Sequence, residues 1–200
     1  MNKFLSKNKN FLVKKNFFDK KIFKIFYEEL DKEVNKILKT LRITQYKKLS
    51  LDIKLLLLEE IDHKLISDLY SKIKTFKSIN KILNLSKIKK LLSKLFKSEF
   101  RSHTSAVRID LSNNTNWNLK WHQESNYVGH EKKHVFIWFP ILHSQSDTSG
   151  GLEIYKKFTN NIFPFRKESN KDHQIQKVPL INISEKDKNI QHVKLNIGDI

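Results

Sequence analysis

Eight histidines and no cysteine bound the chemistry open to this 200-residue chain. Disulfide scaffolds, thiolate metal sites and cysteine nucleophiles are excluded at once. Histidine and carboxylate chemistry remains, and two short stretches carry it. His130-Glu131-Lys132-Lys133-His134 fits the H-E-x-x-H spacing of zinc proteases. That chemistry needs a helix, which sets both imidazoles on one face beside the Glu that activates a zinc-bound water. Gly129 before the motif and the β-rich run Val135-Phe136-Ile137-Trp138 after it argue for a loop instead. The second stretch is Trp121-His122-Gln123-Glu124. On a strand, alternate residues share a face, so His122 and Glu124 would converge on one metal ion. One imidazole and one carboxylate are two corners of the 2-His-1-carboxylate set that holds non-haem Fe(II).

The elements that must position these groups differ between the two halves of the chain. All four Gly and all three Pro lie beyond residue 128, so nothing of that kind breaks a helix earlier. Ile22, Phe26, Leu30, Val34, Ile37 and Leu41 recur at helical spacing and predict a first helix. Leu55, Leu58, Ile61, Leu65 and Leu69 predict a second over residues 51–70, and the run from Ile79 to Phe96 a third. Beyond residue 100 the period changes to two. Strands are expected at 107–111, 134–142, 152–155, 178–183 and 193–197, with a turn at 147–151. The sequence therefore divides into a helical region at 1–100 and a β region at 101–200. The fold class is α+β, with the helical half packed on the β half as an all-β sandwich or barrel.

Several motifs stand in fixed order along the second half. They are Arg108-Ile109-Asp110, Trp121-His122-Gln123-Glu124, Ile137-Trp138-Phe139-Pro140-Ile141, Ser149-Gly150-Gly151-Leu152-Glu153-Ile154 and Ile197-Gly198-Asp199. Together they resemble the phytanoyl-CoA dioxygenase family over roughly residues 100–200. The resemblance implies a double-stranded β-helix (a jelly roll of the cupin kind), with Fe(II) and 2-oxoglutarate as cofactor and co-substrate. It implies that His122 and Glu124 are iron ligands, where the family usually has Asp at the second position. It implies that Trp138 lines the 2-oxoglutarate pocket, and it names no catalytic residue beyond the metal ligands. Gly150 and Gly151 are expected to serve turn geometry, and Arg108 to pair with Asp110.

The implied activity is oxidative decarboxylation of 2-oxoglutarate coupled to hydroxylation of an unactivated C–H bond in a small organic substrate. The chain ends at Ile200, just after the Gly-Asp turn that in the family precedes the distal His ligand and a 2-oxoglutarate-gripping Arg. The jelly roll is accordingly expected to be incomplete, and the chain alone to bind iron weakly and turn over 2-oxoglutarate poorly or not at all. His143, His173 and His192 are left as candidates for the third ligand. The alternative is a non-catalytic jelly-roll remnant acting as a binding module.

Charge gives a third possibility. The net charge is +18, from 35 Lys, four Arg and 21 acidic residues. Bidentate reading of phosphates and bases favours Arg, so a Lys-dominated excess points to compositional bias and away from specific nucleic-acid recognition. Residues 1–100 carry 25 basic and 11 acidic side chains, against 14 and 10 in residues 101–200. A Lys-rich helical half could still associate with acidic surfaces. No apolar run approaches the ~20 residues of a membrane span, and no signal-peptide pattern opens the chain, so a cytoplasmic location is expected.

Overall fold

A computed structural model describes residues 11–96, 106–111, 120–128, 134–146, 150–156, 162–169, 175–181 and 187–200. The chain divides into two compact units, Phe18–Ser112 and the combination of Met1–Phe17 with Asn113–Ile200.

The first unit is built on one helix. Apolar side chains spaced by three and four share a face. Helix α1 (Lys21–Thr40) accordingly buries Phe23, Phe26, Leu30, Val34 and Leu38. The predicted stripe is rotated slightly, for Leu41 at its end is exposed and Leu38 replaces it in the core. Helices α2 (Leu51–Ile61), α3 (His63–Ile73) and α4 (Lys77–Leu83) pack against α1. A 3₁₀ turn at Gln45–Lys48 enters α2, and Ser50 caps it by accepting from the Ile53 amide.

The single helix expected over 51–70 is two helices, because Asp62 breaks it. Asp62 is extended at φ −163° and ψ 117°, and its carboxylate accepts from the Lys64 amide at 2.9 Å. A short acidic side chain competes with the helix for backbone amides and is favoured at such a cap. The break shifts the apolar stripe by one residue. Ile61 is exposed, and Ile66, Leu69 and Ile73 are buried where Leu65 and Leu69 were expected. The third expected helix is likewise divided, into α4 and α5 (Ser86–Phe96), with Asn84 folding its amide back onto the Asn80 carbonyl.

Polar groups tie these helices together. Glu29 of α1 caps α4 from outside, accepting from the Ser78 amide at 3.1 Å and the Ser78 hydroxyl at 2.6 Å. This satisfies amides that Phe76, at the N-cap, has no side-chain oxygen to reach. Lys54, buried on α2, pairs with Asp31 of α1 at 2.8 Å, and Asp31 also accepts from Asn35. The Tyr70 hydroxyl of α3 donates to the Ile109 carbonyl and accepts from the Ile109 amide, both at 2.9 Å. Burial, the largest influence, raises the Tyr70 pKa despite that contact.

That exchange explains why residues 107–111 form no strand. The Ile109 N–H and C=O, which a neighbouring strand would satisfy, are held by one side chain, and the segment belongs to the helical unit. Arg108 and Asp110 form the expected pair, at 2.7 Å.

Among the described residues the second unit holds four strands in two antiparallel pairs, so the chain is α+β. Strand β1 (Leu152–Tyr155) pairs with β4 (Ile190–Val193), setting Glu153 opposite His192. Strand β2 (Phe165–Ser169) pairs with β3 (Ile175–Pro179), setting Phe165 opposite Pro179. β1 lies where it was predicted, β3 shares only 178–179 with the expected 178–183, β4 shares only Val193 with the expected 193–197, and β2 forms where no strand was expected. Residues 134–142 form no strand. Val135 and Phe136 are exposed, and the segment bends at 141–143 after Pro140, which has no amide to give a ladder.

The core assignment in the helical unit is testable by denaturation. Leu30→Ala should cost about 2–5 kcal/mol in urea unfolding followed by far-UV circular dichroism, as buried Leu truncations do. Ile53→Ala, at a position 48% exposed, should stay within about 0.5 kcal/mol of the parent. Equal costs at the two positions would contradict the packing face described.

Candidate metal-binding pair and its supports

His122 and Glu124 do not lie on a strand as expected. They immediately precede a helical turn, α6 (Ser125–Val128), whose first hydrogen bonds run from the Asn126 amide to the Gln123 carbonyl and from Tyr127 to Glu124. The two side chains nevertheless face each other, with Nε2 of His122 3.5 Å from Oε1 of Glu124. A turn closing on itself brings residues two apart together as a strand face would.

The other ring nitrogen decides what that approach means. Nδ1 of His122 lies 2.7 Å from the Lys120 carbonyl oxygen. A carbonyl only accepts, so Nδ1 carries the proton and donates. In a neutral ring, Nε2 then presents its lone pair to the carboxylate. At 3.5 Å the pair is longer than an ordinary hydrogen bond. Two ligand atoms about 2.1 Å from one ion stand about 3.0 Å apart at a right angle and about 3.4 Å at a tetrahedral one. The donor set and spacing therefore fit two positions of a first-row metal ion. The Nδ1 contact to a carbonyl is the outer hydrogen bond that metal-bound imidazoles commonly make.

The surroundings hold this segment in place through β2 and β3. The Tyr127 ring meets the His122 ring edge-on, with centroids 5.7 Å apart. Its hydroxyl accepts from the Lys177 amide at 2.7 Å. The Lys177 ammonium donates to the Asn126 carbonyl and sits 5.2 Å from the Tyr127 ring and 5.3 Å from the Phe165 ring. Gln123 accepts from the Phe163 amide at 2.8 Å, and the Lys120 amide donates to Gln176 at 3.0 Å. Glu168 receives both Lys120 and Arg166, whose hydrogen bonds, Lys120 first, hold its carboxyl below the ordinary carboxylate range. Tyr127, Gln123 and Lys177 escaped the sequence reading, since their roles arise from contacts 40 to 50 residues away.

The remaining candidates are scattered. His192 pairs with Glu153 across β1 and β4 at 3.0 Å. His143 is exposed on the bend at 141–143. His173 and residues 130–133 lie outside the described residues, and His134 is not helical. Among the described residues no group of three His, Asp or Glu converges as a metal site. Trp138 is half-buried, and its buried indole Nε1–H finds no acceptor among the described residues. Both amide atoms of buried Asn126 are in the same condition, two residues after Glu124.

Gly198-Asp199 has a structural part here. Gly198 at φ +100° completes a turn in which the Asp199 amide donates to the Asn196 carbonyl. The Asp199 carboxylate is buried. It accepts from the Asn196 amide at 2.9 Å, the Asn16 amide at 2.8 Å and the Lys15 ammonium at 2.9 Å. Lys14 and Ile200 exchange backbone hydrogen bonds alongside, at 2.8 and 3.0 Å. Burial alone, the largest influence, would raise the Asp199 pKa. The Lys15 and amide hydrogen bonds outweigh it and hold the carboxyl below its ordinary value.

A lowered folded pKa stabilises the fold above the unfolded value of about 3.9, and that contribution fades as pH falls through the folded value. Asp199→Asn should therefore cost about 1.5–3 kcal/mol at neutral pH, as loss of charged hydrogen bonds does. The difference from the parent should shrink in acid. All three Trp lie beyond residue 112, so tryptophan fluorescence in urea reads this unit alone. A penalty independent of pH would contradict the assignment.

No protein-family model, curated protein or solved structure matches this chain.

Proposed function

We propose that this protein is a non-haem iron dioxygenase of the 2-oxoglutarate-dependent kind, acting on a small organic substrate. His122 and Glu124 hold the metal. One observation carries the reading: Nδ1 of His122 is engaged by the Lys120 carbonyl at 2.7 Å, which turns Nε2 toward the Glu124 carboxylate at 3.5 Å. Two acceptors brought face to face repel unless a proton or a cation lies between them, and this donor set suits Fe(II). In this reading the two antiparallel strand pairs are parts of a jelly-roll core, as the ordered motifs of residues 100–200 imply. Bound iron would supply the chemistry by which dioxygen and 2-oxoglutarate yield succinate and carbon dioxide as a C–H bond becomes C–OH.

The chain's own residues do the positioning. Lys120 and Tyr127 set the orientation of the imidazole, and Glu124 brings the negative charge that partly neutralises a divalent ion. The Trp138 N–H, which has no acceptor among the described residues, suits a carboxylate or carbonyl oxygen of the co-substrate. Of the three histidines weighed for the third ligand, His143 and His192 do not converge with the pair, which leaves His173, outside the described residues, as the candidate.

Succinate release under air, with Fe(II) and 2-oxoglutarate supplied, tests the proposal. The parent chain should release succinate slowly, yet above the protein-free rate, in amounts that scale with protein and vanish on chelation. His122→Ala should reduce the release to background. His173→Ala should do the same if that residue completes the site. Release unchanged by His122→Ala, or none from the parent, would favour a binding module without turnover.

A further inference from the structure

The excess positive charge is not spread evenly over the helical unit. Residues 19–68 carry eleven basic and ten acidic side chains, whereas residues 69–96 carry eight Lys and no acid. A compositional preference for Lys would not by itself clear a stretch of Asp and Glu. All eight of these lysines are exposed, on the end of α3, on α4 and α5, and on the turn after α3.

Helix α5 differs from its neighbours in what it buries. At 100° per residue, Ile88, Leu91, Leu92, Leu95 and Phe96 fall in one sector of about 140°, with Lys87 and Lys89 at its two borders. Of these five apolar residues Ile88 is buried, and the other four are half-buried. By contrast, α4 buries Ile79 and Ile82. The principal helix packings of this unit run among α1, α2, α3 and α4, and α5 has no comparable share.

A cationic helix with a continuous apolar sector and lysines along its borders suits one environment above others. At a bilayer surface the apolar sector enters the headgroup boundary, while the Lys stems extend upward to anionic headgroups. A nucleic acid would take the charge but offer nothing to the Leu and Phe side chains. The stretch also has no Arg for bidentate phosphate contacts. We infer that the α4–α5 surface, centred on α5, docks the protein on anionic lipid bilayers. No helix among the described residues is long and apolar enough to cross a membrane, so the contact is peripheral. This inference stands independently of the dioxygenase reading.

Flotation of the full chain with phosphatidylcholine vesicles, with and without phosphatidylserine, tests it. Binding should require phosphatidylserine and weaken as salt rises. Lys89→Glu with Lys90→Glu should lower the partition coefficient about tenfold or more, given the attraction of each basic side chain to an anionic surface. Lys47→Glu with Lys48→Glu makes the same charge change at exposed positions away from α5, and should alter binding less than about twofold. All four positions are exposed, and far-UV circular dichroism verifies that each variant folds. Equal losses from the two pairs would overturn the inference in favour of general charge attraction. Equal binding to both vesicle types, binding to neither, or binding to duplex DNA but not to vesicles would overturn it as well.

Discussion

A buried carboxylate, Asp199, is the constraint on which the β-containing unit depends. Its two oxygens collect three donors, Lys15, Asn16 and Asn196, and so join segments more than 180 residues apart in the chain. A desolvated carboxylate is costly unless each oxygen is satisfied. Here the requirement is met only when residues 14–16 lie beside residues 196–200, which also places the Lys14–Ile200 backbone pair. From that closure the β1–β4 pair follows. Gln145 donates its amide to the Leu195 carbonyl and accepts from the Leu195 amide, and β4 continues from there into its ladder with β1. Long-range closure of this kind costs chain entropy that local hydrogen bonds do not repay, so a charge-assisted cluster is a fitting clasp.

The helical unit rests on the same logic at shorter range. Glu29 caps α4 and Asp31 neutralises buried Lys54, so two carboxylates of one helix fix two neighbours. Each would leave a buried polar group unsatisfied if the helices slid by a turn. The apolar stripe supplies most of the attraction, and these pairs select one register from several that would bury similar area.

Helical stripes were legible in the sequence because packing follows the 3.6-residue period directly, as Phe26, Leu30 and Val34 show. Asp62 was harder to interpret, since an acid inside an amphipathic run is equally compatible with an exposed helical position. The strands at 107–111 and 134–142 failed for a different reason. Alternation records which residues prefer burial, not which partner satisfies the backbone, and a Tyr70 hydroxyl satisfied Ile109. The pairing of His122 with Glu124 was readable from spacing alone, although the turn that produces it was not. Lys120 could not be found in advance, because it acts through its carbonyl, a group every residue has. Asp199 was visible as part of a Gly-Asp turn, but its burial depends on Lys15 and Asn16 at the far end of the numbering.

The metal reading depends on His122 and Glu124 acting as ligands together, and Co(II) substitution addresses that directly. Visible absorption of the parent chain titrated with Co(II) should develop d–d bands distinct from those of aqueous Co(II), saturating at one ion per chain. His122→Ala and Glu124→Ala should each abolish or displace those bands, because either change removes an atom bound to the metal. Bands identical in the parent and both variants would place any metal elsewhere and contradict the account.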